Sequence, residues 1–438
     1  MSLDTSLQFR IDELILTTKS GNIDLANLFD EVSLYDNFFI PILSAKILIT
    51  DSLGLYSKLL FDGSEVLTIN ISKFDGNFTY QKTMRLYSVT NKINLNLNSQ
   101  RYILNFASND MFFSFQKKVN QAYSNTYSEI TKRIIVDHLK VPERDLGGFF
   151  NDSVGVKDVT IPNLSPIEAI QWCARKAINE TGASDFIFYQ NLVGYNFASL
   201  STLLGLDSIL DIKFQLKNTR NSTPFNDISN ARALQVISHV NAIDRMKSGV
   251  DASKFVGFDV LTGIFNSEKN ISYMDHYGTL THSNKTPNIS IIDNAEGKTN
   301  LEMYDARQTV SIFGAGRFLS NYIKKYDPDM VSKLDDTENY VTQRQAIFKN
   351  LLNRRVRVAL PGNFQLTSGL NVDLDVPNFS VKDGGDTSDG TLSGKYVILA
   401  SRHLIRHNKH ETIIEVSTSS SNASGVYRST QEQLGFFK

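Results

Sequence analysis

Three of the chain's seven histidines, His403, His407 and His410, fall within GKYVILASRHLIRHNKHETIIEV at 394–416 with the spacing H-x-x-x-H-x-x-H. On an α-helix that spacing would gather three imidazoles on one face, close enough to share a zinc ion and leave its fourth position to water. The flanks argue otherwise. Tyr396 to Ala400 is a short apolar run and Thr412 to Val416 is rich in β-branched types, so both halves read as strands joined by a polar turn. With Asn408-Lys409 at the turn, His407 faces His410, Arg406 faces Glu411, Leu404 faces Ile413 and Arg402 faces Glu415. Each such cross-strand pair adds roughly 0.2–1 kcal/mol. On the other face His403 lies opposite Ile414 and Ile405 opposite Thr412. His403 and His407 then stand about 13 Å apart at ~3.3 Å per residue, too far to share one ion. The hairpin leaves a contact between His407 and His410 open and dissolves the three-ligand site.

Other motifs lead to the same expectation. GAGRFL at 314–319 opens like a dinucleotide fingerprint, but Leu319 takes the third glycine position and no parallel βαβ pattern surrounds it. DGGDTSDG at 383–390 lacks the ligand order and closing glutamate of a calcium loop and reads as a long hairpin tip. HETII from His410 lacks the second histidine of a zinc-protease helix, and neither a G-x-S-x-G elbow nor a P-loop occurs. Asp335-Asp336 lies in a polar stretch without the apolar surroundings that a general acid needs. Cys173 lies beside an apolar helical stripe with no partner and reads as packing. No residue is assigned as catalytic, cofactor-binding or metal-binding, and no cofactor is expected.

The composition narrows the class. A formal net charge of −1 gives no global attraction to nucleic acid or to an anionic membrane. Basic pairs such as Lys324-Lys325 and Arg354-Arg355 read as solvated edges. A single cysteine allows no intrachain disulfide and does not indicate an oxidising compartment, so the Asn-x-Ser/Thr sites at Asn77 and Asn221 carry little meaning. The opening MSLDTSLQFRIDE lacks the basic start and apolar core of a signal peptide, and no run approaches ~18 apolar residues.

Along the first hundred residues FRIDELILTT, AKILITD, EVLTINIS, TMRLYSV and RYILNFA read as antiparallel strands separated by Gly, Asp and Asn turns. YSEITKRIIVDHL spaces Ile130, Ile134 and His138 on one helical face before Pro142. SPIEAIQWCARKAINETG carries a Ser165/Glu168 capping box, Pro166 in its first turn, and a stripe of Ile167, Ile170, Ala174, Ala177 and Ile178 ending at Gly182. ASDFIFYQNLVGYNFASL follows as a hairpin. A helix is expected near 231–246, a strand pair near 254–265, and a helix around 342–352 leading into strands from Val356 to Val416. The two ends also echo each other. SEVLTINISKF, KTMRLYSV and RYILNFAS in the first segment resemble GLNVDLDVPNF, GKYVILAS and ETIIEVST in the last. Lys82, Leu86 and Ser88 align with Lys395, Leu399 and Ser401, and Tyr102-Ile103-Leu104 aligns with Thr412-Ile413-Ile414, which favours a duplicated β domain. The expectation is a β-rich α+β, multidomain chain. Residues 1–115 form a first β domain, 116–205 an α/β domain, 206–268 with 344–417 a second β domain, 269–343 an irregular insertion, and 418–438 a C-terminal extension ending in the apolar LGFF.

Two stretches, SPIEAIQWCARKA…ASDFIFYQNLVGYNFASLSTL at 165–203 and the hairpin at 394–416, together with the duplicated ends, resemble baseplate hub proteins of contractile-tailed, T4-like bacteriophages. That resemblance implies two tail-tube-like β-barrel domains with mixed α/β domains inserted between them. It implies a homotrimer whose six β domains form a pseudo-six-fold ring, adapting a three-fold central spike to the six-fold tail tube. DNA would pass through the channel without specific binding. Tape-measure and baseplate-wedge proteins are further candidate partners, no membrane is involved, and the place of work is the virion baseplate after assembly in the host cytoplasm. Two other classes stand beside it: a β-rich receptor- or carbohydrate-binding tail module, and a metal-dependent hydrolase using the three histidines.

Overall fold

The computed structural model describes residues 9–73, 79–143, 146–214, 229–259, 265–277, 280–287, 291–304, 307–313, 337–378, 388–407 and 409–422. Several sequence features lie outside them: Asn77, Asn221, 314–319, Lys324-Lys325, Asp335-Asp336, 383–387, Asn408 and the LGFF at 434–437.

Alternation of apolar and polar residues lays out the first β unit. It comprises β1 (Phe9–Thr18), β2 (Gly21–Asp24), β3 (Phe29–Asn37), β4 (Ile40–Asp51), β5 (Val66–Lys73), β6 (Thr79–Asn96) and β7 (Ser99–Ser108), with α1 (Leu55–Leu59) between β4 and β5. In β4 the side chains of Leu43, Ala45, Ile47 and Ile49 are buried and those between them are not. The strands lie side by side as β3-β4-β7-β6-β5-β1-β2, with every neighbour antiparallel. Strand β3, whose FDEVSLYDN is too acidic to stand out as a strand, enters the core through Val32 and Leu34.

The middle of the chain supplies α2 (Asn109–Gln116), β8 (Ala122–Asn125), α3 (Tyr127–Asp137), β9 (Leu146–Phe150), β10 (Lys157–Thr160), α4 (Pro166–Lys176), β11 (Phe186–Gln190), β12 (Tyr195–Ser199) and α5 (Leu200–Gly205). Helix α4 begins as its capping box requires: the backbone N–H and hydroxyl of Ser165 donate to Glu168 at 2.9 and 2.7 Å. Ile167, Ile170, Cys173 and Ala174 are buried against α3, where Ile130 and Ile134 are buried in turn. The helix stops at Lys176, well before Gly182, so Ile178 lies beyond it and is only half-buried. The cause is Asn179, whose side-chain oxygen accepts from the backbone N–H groups of Thr181 and Ala183 and so offers the chain a turn in place of another helical one. His138 likewise ends α3 half-buried, and Leu139 takes the interior place. The hairpin β11–β12 forms as expected.

The second β unit begins with β13 (Ser208–Lys213) and β14 (Ala233–Ser238). There follow α6 (Ala242–Ser248), β15 (Ala252–Asp259), β16 (Phe265–Ser272), α7 (Tyr273–Tyr277), β17 (Thr286–Pro287), β18 (Gln308–Phe313) and α8 (Thr337–Leu351). Strands β19 (Arg354–Pro361), β20 (Asn371–Asp375), β21 (Gly394–Arg406), β22 (Lys409–Thr418) and β23 (Ser420–Ser421) complete the described chain. The helix expected over 231–246 is half strand: β14 pairs with β19, and the helix starts only where Asn241 caps it by accepting from the Asp244 N–H. Strands β15 and β16 do not join the second β unit. They form their own sheet with β18, from the stretch expected to be irregular, so that sheet crosses the expected division at residue 268. Helix α8 starts at Thr337, inside the same stretch. A buried cluster fixes this region: Arg245 donates to Asp251 at 2.5 Å and to Asn350, and Asn300 donates to Asp251 at 2.7 Å. Arg354, expected at a solvated edge, is buried and donates to the Thr391 carbonyl at 2.6 Å.

Candidate functional site

Strand for strand, the two β units correspond. The second runs β14-β19-β22-β21-β20-β13, matching β3-β4-β7-β6-β5-β1. The long strands β6 and β21 carry the same irregularity. Leu86 and Ser88 stand opposite Phe106 and Asn105, so Tyr87 is bulged; Ile398 and Ala400 stand opposite Val416 and Glu415, so Leu399 is bulged. Just before each bulge one more backbone bond repeats: Leu86 N–H donates to Glu65 at 3.0 Å, and Ile398 N–H donates to Leu370 at 2.8 Å. The two units differ in that β1 runs antiparallel to β5 but β13 runs parallel to β20, in the added β2 of the first unit, and in two further register shifts of β6, at Thr90/Ile93 and Asn94/Asn96.

Past its bulge, β21 leaves β20 and pairs with β3 of the first unit, from Ala400 opposite Asn37 to Ile405 opposite Val32. One continuous sheet therefore joins the two units, and the hairpin with the histidines forms the joint. Its register differs from the sequence expectation by two residues: Arg406 pairs with Lys409, placing His407-Asn408 at the turn. Each residue keeps its face and changes its partner. Arg402 and Arg406 reach across to Glu31 of β3 at 2.9 and 3.1 Å, while Glu415 meets Arg355 and Glu411 meets Arg232. The expected within-hairpin ion pairs are thus replaced by pairs to neighbouring strands, which the hairpin's own sequence does not contain.

The slide separates His407 from the other two histidines. It lies at the turn beside Phe29, ring centroids 4.8 Å apart. His403 and His410 share the buried face instead, 5.6 Å apart, both against Phe364 and with His410 also against Phe9. Gly362 allows this approach, since a Cβ there would lie 2.1 Å from the His410 ring. His403 is bracketed by the hydroxyls of Ser401 and Thr412, each at 3.2 Å. Among the described residues neither ring nitrogen of His410 has a hydrogen-bond partner. Burial drives both imidazoles toward the neutral form: His403 is pushed down to about 3, and His410 well below its ordinary value, with His403 adding to the effect. Among the described residues no group of three His, Cys, Asp or Glu side chains could hold a metal ion.

Asp36, on β3, fastens the joint from the other side. Its carboxyl group accepts from the hydroxyl and backbone N–H of Ser401 at 2.8 and 3.0 Å, from the Ser368 N–H at 3.3 Å and from the Thr367 hydroxyl. Burial raises its pKa to about 6 despite these donors. Asp36, Ser401 and His403 lack a relay's order, because the serine stands between carboxylate and imidazole rather than beyond the base, and all three are shielded from solvent. Cys173 is buried in the middle domain with its thiol pushed up to about 12. The middle domain also meets the joint: Asn191, beside the end of β11, donates to the Ser368 carbonyl at 3.1 Å, and the Leu192 N–H donates to Thr367 at 3.3 Å. The arrangement locks two β units and the middle domain into one piece. Sequence reading missed Asp36, whose only signal was an acid in an alternating strand.

No protein-family model matches the chain, and no curated protein matches it in sequence. Among solved structures, a tail protein from Neisseria meningitidis MC58 is similar with a TM-score of 0.53 at 11% identity, covering 94% of this chain and 96% of that one. The 43 kDa tail protein of prophage MuSo2 from Shewanella oneidensis is similar with a TM-score of 0.51 at 8% identity, covering 92% and 97%. The chain therefore has the fold of phage tail proteins over nearly its whole length.

Proposed function

We propose that this chain is a structural hub subunit of a phage-type tail, a homotrimer that joins a three-fold spike to a six-fold tube, with no enzymatic activity, cofactor or metal. The observation that carries the reading is the duplication: the same strand order and the same bulge occur twice in one polypeptide, and the two copies are joined edge to edge in one sheet. Three identical chains have three equivalent surfaces, which cannot match a six-fold partner one for one. Three chains with two similar units each present six. The tail-protein fold supports the same placement in a virion tail. Trp172, the one tryptophan, packs beside Tyr127 under Lys176 and so offers no stacking platform to a carbohydrate- or receptor-binding module. Light scattering on the purified chain should give three chain masses, and averaged electron micrographs a ring with six lobes over a three-fold base. A particle of one chain mass at every concentration, with no association with tube or spike proteins, refutes the reading.

A further inference from the structure

Resting on that trimer, we infer that the far half of β6 in one chain pairs with β14 of a second copy, repeating between chains the joint that β21 and β3 make within one. The correspondence of the units leads to it directly. Strand β21 finds β3 once it has passed its bulge, but β6, its counterpart, continues past the Tyr87 bulge to Asn96 with β7 as its one partner strand among the described residues. Strand β14, the counterpart of β3, pairs with β19 and has no strand on its other side among the described residues. Each chain thus carries one used joint and one unused edge of each kind.

The side chains on these edges match an unfilled joint. Leu404 is 5% exposed where β3 covers it, and Ile93, in its place on β6, is 57% exposed. Leu34 is 1% exposed in the joint, and Val236, in its place on β14, is 40% exposed. Leu95 and Leu97 continue the apolar run at the end of β6, as Val240 and Ile243 do after β14. An open edge meant to stay single is usually blunted by charge, proline or bulges; β6 has Lys92 and two further register shifts, yet both edges also carry the exposed apolar residues above. Where Ser401 meets Asp36 in the internal joint, β6 has Val89, so that buried serine–carboxylate hydrogen bond has no counterpart between chains.

The shared neighbours also fix the register. Leu404 stands opposite Glu411 and Ile93 opposite Arg101, which hold the same place on β22 and β7. Ser33, the partner of Leu404, stands opposite Lys46, and Gln235 stands opposite Arg357; Lys46 and Arg357 in turn face the equivalent Asn105 and Glu415. Ile93 of one chain therefore faces Gln235 of the next, and Asn94 faces Leu234. The contact is head to tail, and three copies close it into a ring of six units.

The test is oxidation of Ile93→Cys/Gln235→Cys in the full chain, whose native Cys173 is buried. Opposed residues of antiparallel strands have Cα atoms about 4.5–5.5 Å apart, within disulfide range. The expected result is covalent species of two and three chains, collapsed by thiol, with no such ladder from Ile93→Cys/Val236→Cys, whose two side chains point to opposite faces. A second variant, Val236→Lys, should raise the midpoint concentration of trimer formation roughly tenfold or more by placing a charge in the joint. Trimers by light scattering without a cross-link, or with undiminished assembly of Val236→Lys, overturn the edge assignment and leave the hub reading standing. A cross-link formed only within one chain overturns it as well. A particle of one chain mass in the unsubstituted protein overturns both.

Discussion

Replacing His410 by leucine should stabilise the protein, and more so as the pH falls. Leucine is close to histidine in volume, so it can fill the place between Phe9, Phe364 and His403 without opening a cavity. It also removes two ring nitrogens that are buried without hydrogen bonds, a gain on the order of 1 kcal/mol or more near neutral pH. The pH dependence follows from linkage. A histidine whose folded pKa lies below its unfolded value contributes stability that is complete above about pH 6.5 and is lost as the pH falls toward the folded pKa. Protonation of the unfolded chain at His410 then costs the native state little at pH 7 and progressively more as the pH falls below 6.5. His403, pushed down to about 3, costs on the order of 2 kcal/mol between pH 7 and 5. Asp36 works in the opposite direction. Its raised pKa, about 6, means that its contribution is complete below its ordinary 3.8 and is lost as the pH rises through 6, so acidification from pH 7 to 5 returns about 1 kcal/mol. The two histidines together outweigh Asp36, so stability should fall between pH 7 and 5, and His410→Leu should make that fall clearly smaller. Urea melts of both proteins at fixed chain concentration measure it. Parallel pH curves for the two would show that His410 is not held neutral in the interior, and the buried-pair geometry would be wrong.

Asp36→Ala should destabilise the chain by leaving the Ser401, Ser368 and Thr367 donors buried and unpaired, on the order of 2–5 kcal/mol. That loss should be about 1 kcal/mol larger at pH 5 than at pH 7, because the carboxyl group it removes is better tolerated when protonated; a loss that shrinks on acidification, in the same melts, refutes the assignment. Gly362→Ala should cost about 1–3 kcal/mol by driving a Cβ into the His410 ring, and a double-mutant cycle with His410→Ala should recover much of it; additive costs would contradict the contact. Ile170→Ala should cost ~2–5 kcal/mol through the cavity it leaves between α3 and α4, against roughly 1 kcal/mol or less for Glu168→Ala at the start of α4, and equal effects would refute that packing.

Strong local patterns were legible in the sequence. Helix α4 announced its start through Ser165, Pro166 and Glu168, and the strands of the first unit announced themselves through alternation, because capping and binary patterning are written in neighbouring residues. The end of α4 was not legible, since Asn179 competes through turns whose geometry the helical stripe does not record. The hairpin at 394–416 shows a sharper limit. The faces of its side chains followed from period two, but its register depended on Glu31, Arg355, Phe364 and Gly362, all distant in sequence. The same holds for the candidate site: the histidines were flagged, whereas Asp36, its most connected group, was one of several acids in β3 until that strand met β21.

The internal echo has its own physical limit. Aligning Tyr102-Ile103-Leu104 with Thr412-Ile413-Ile414 matches the structure, because both triplets lie on regular strands opposite equivalent partners. Aligning Leu86 with Leu399 is one residue out, since the bulges set Leu86 beside Ile398 and Tyr87 beside Leu399. A bulged residue escapes the two-residue period, so matching by side-chain type slips there. Where the two units agree and where they part also follows a rule. They keep the same strand order at β3 and β14, β6 and β21, which are the edges that the proposed ring uses; they part at β1 and β13, and β6 adds two register shifts beyond Thr90 that β21 lacks. Strand β13 enters from α5 of the middle domain and lies parallel to β20, whereas β1 precedes a tight turn into β2 and lies antiparallel to β5. A duplication free to drift would lose correspondence at any strand. One held by ring closure must keep the joint strands and the bulge that frees β6 and β21 to change partners, and those are the features that the two halves of this chain share.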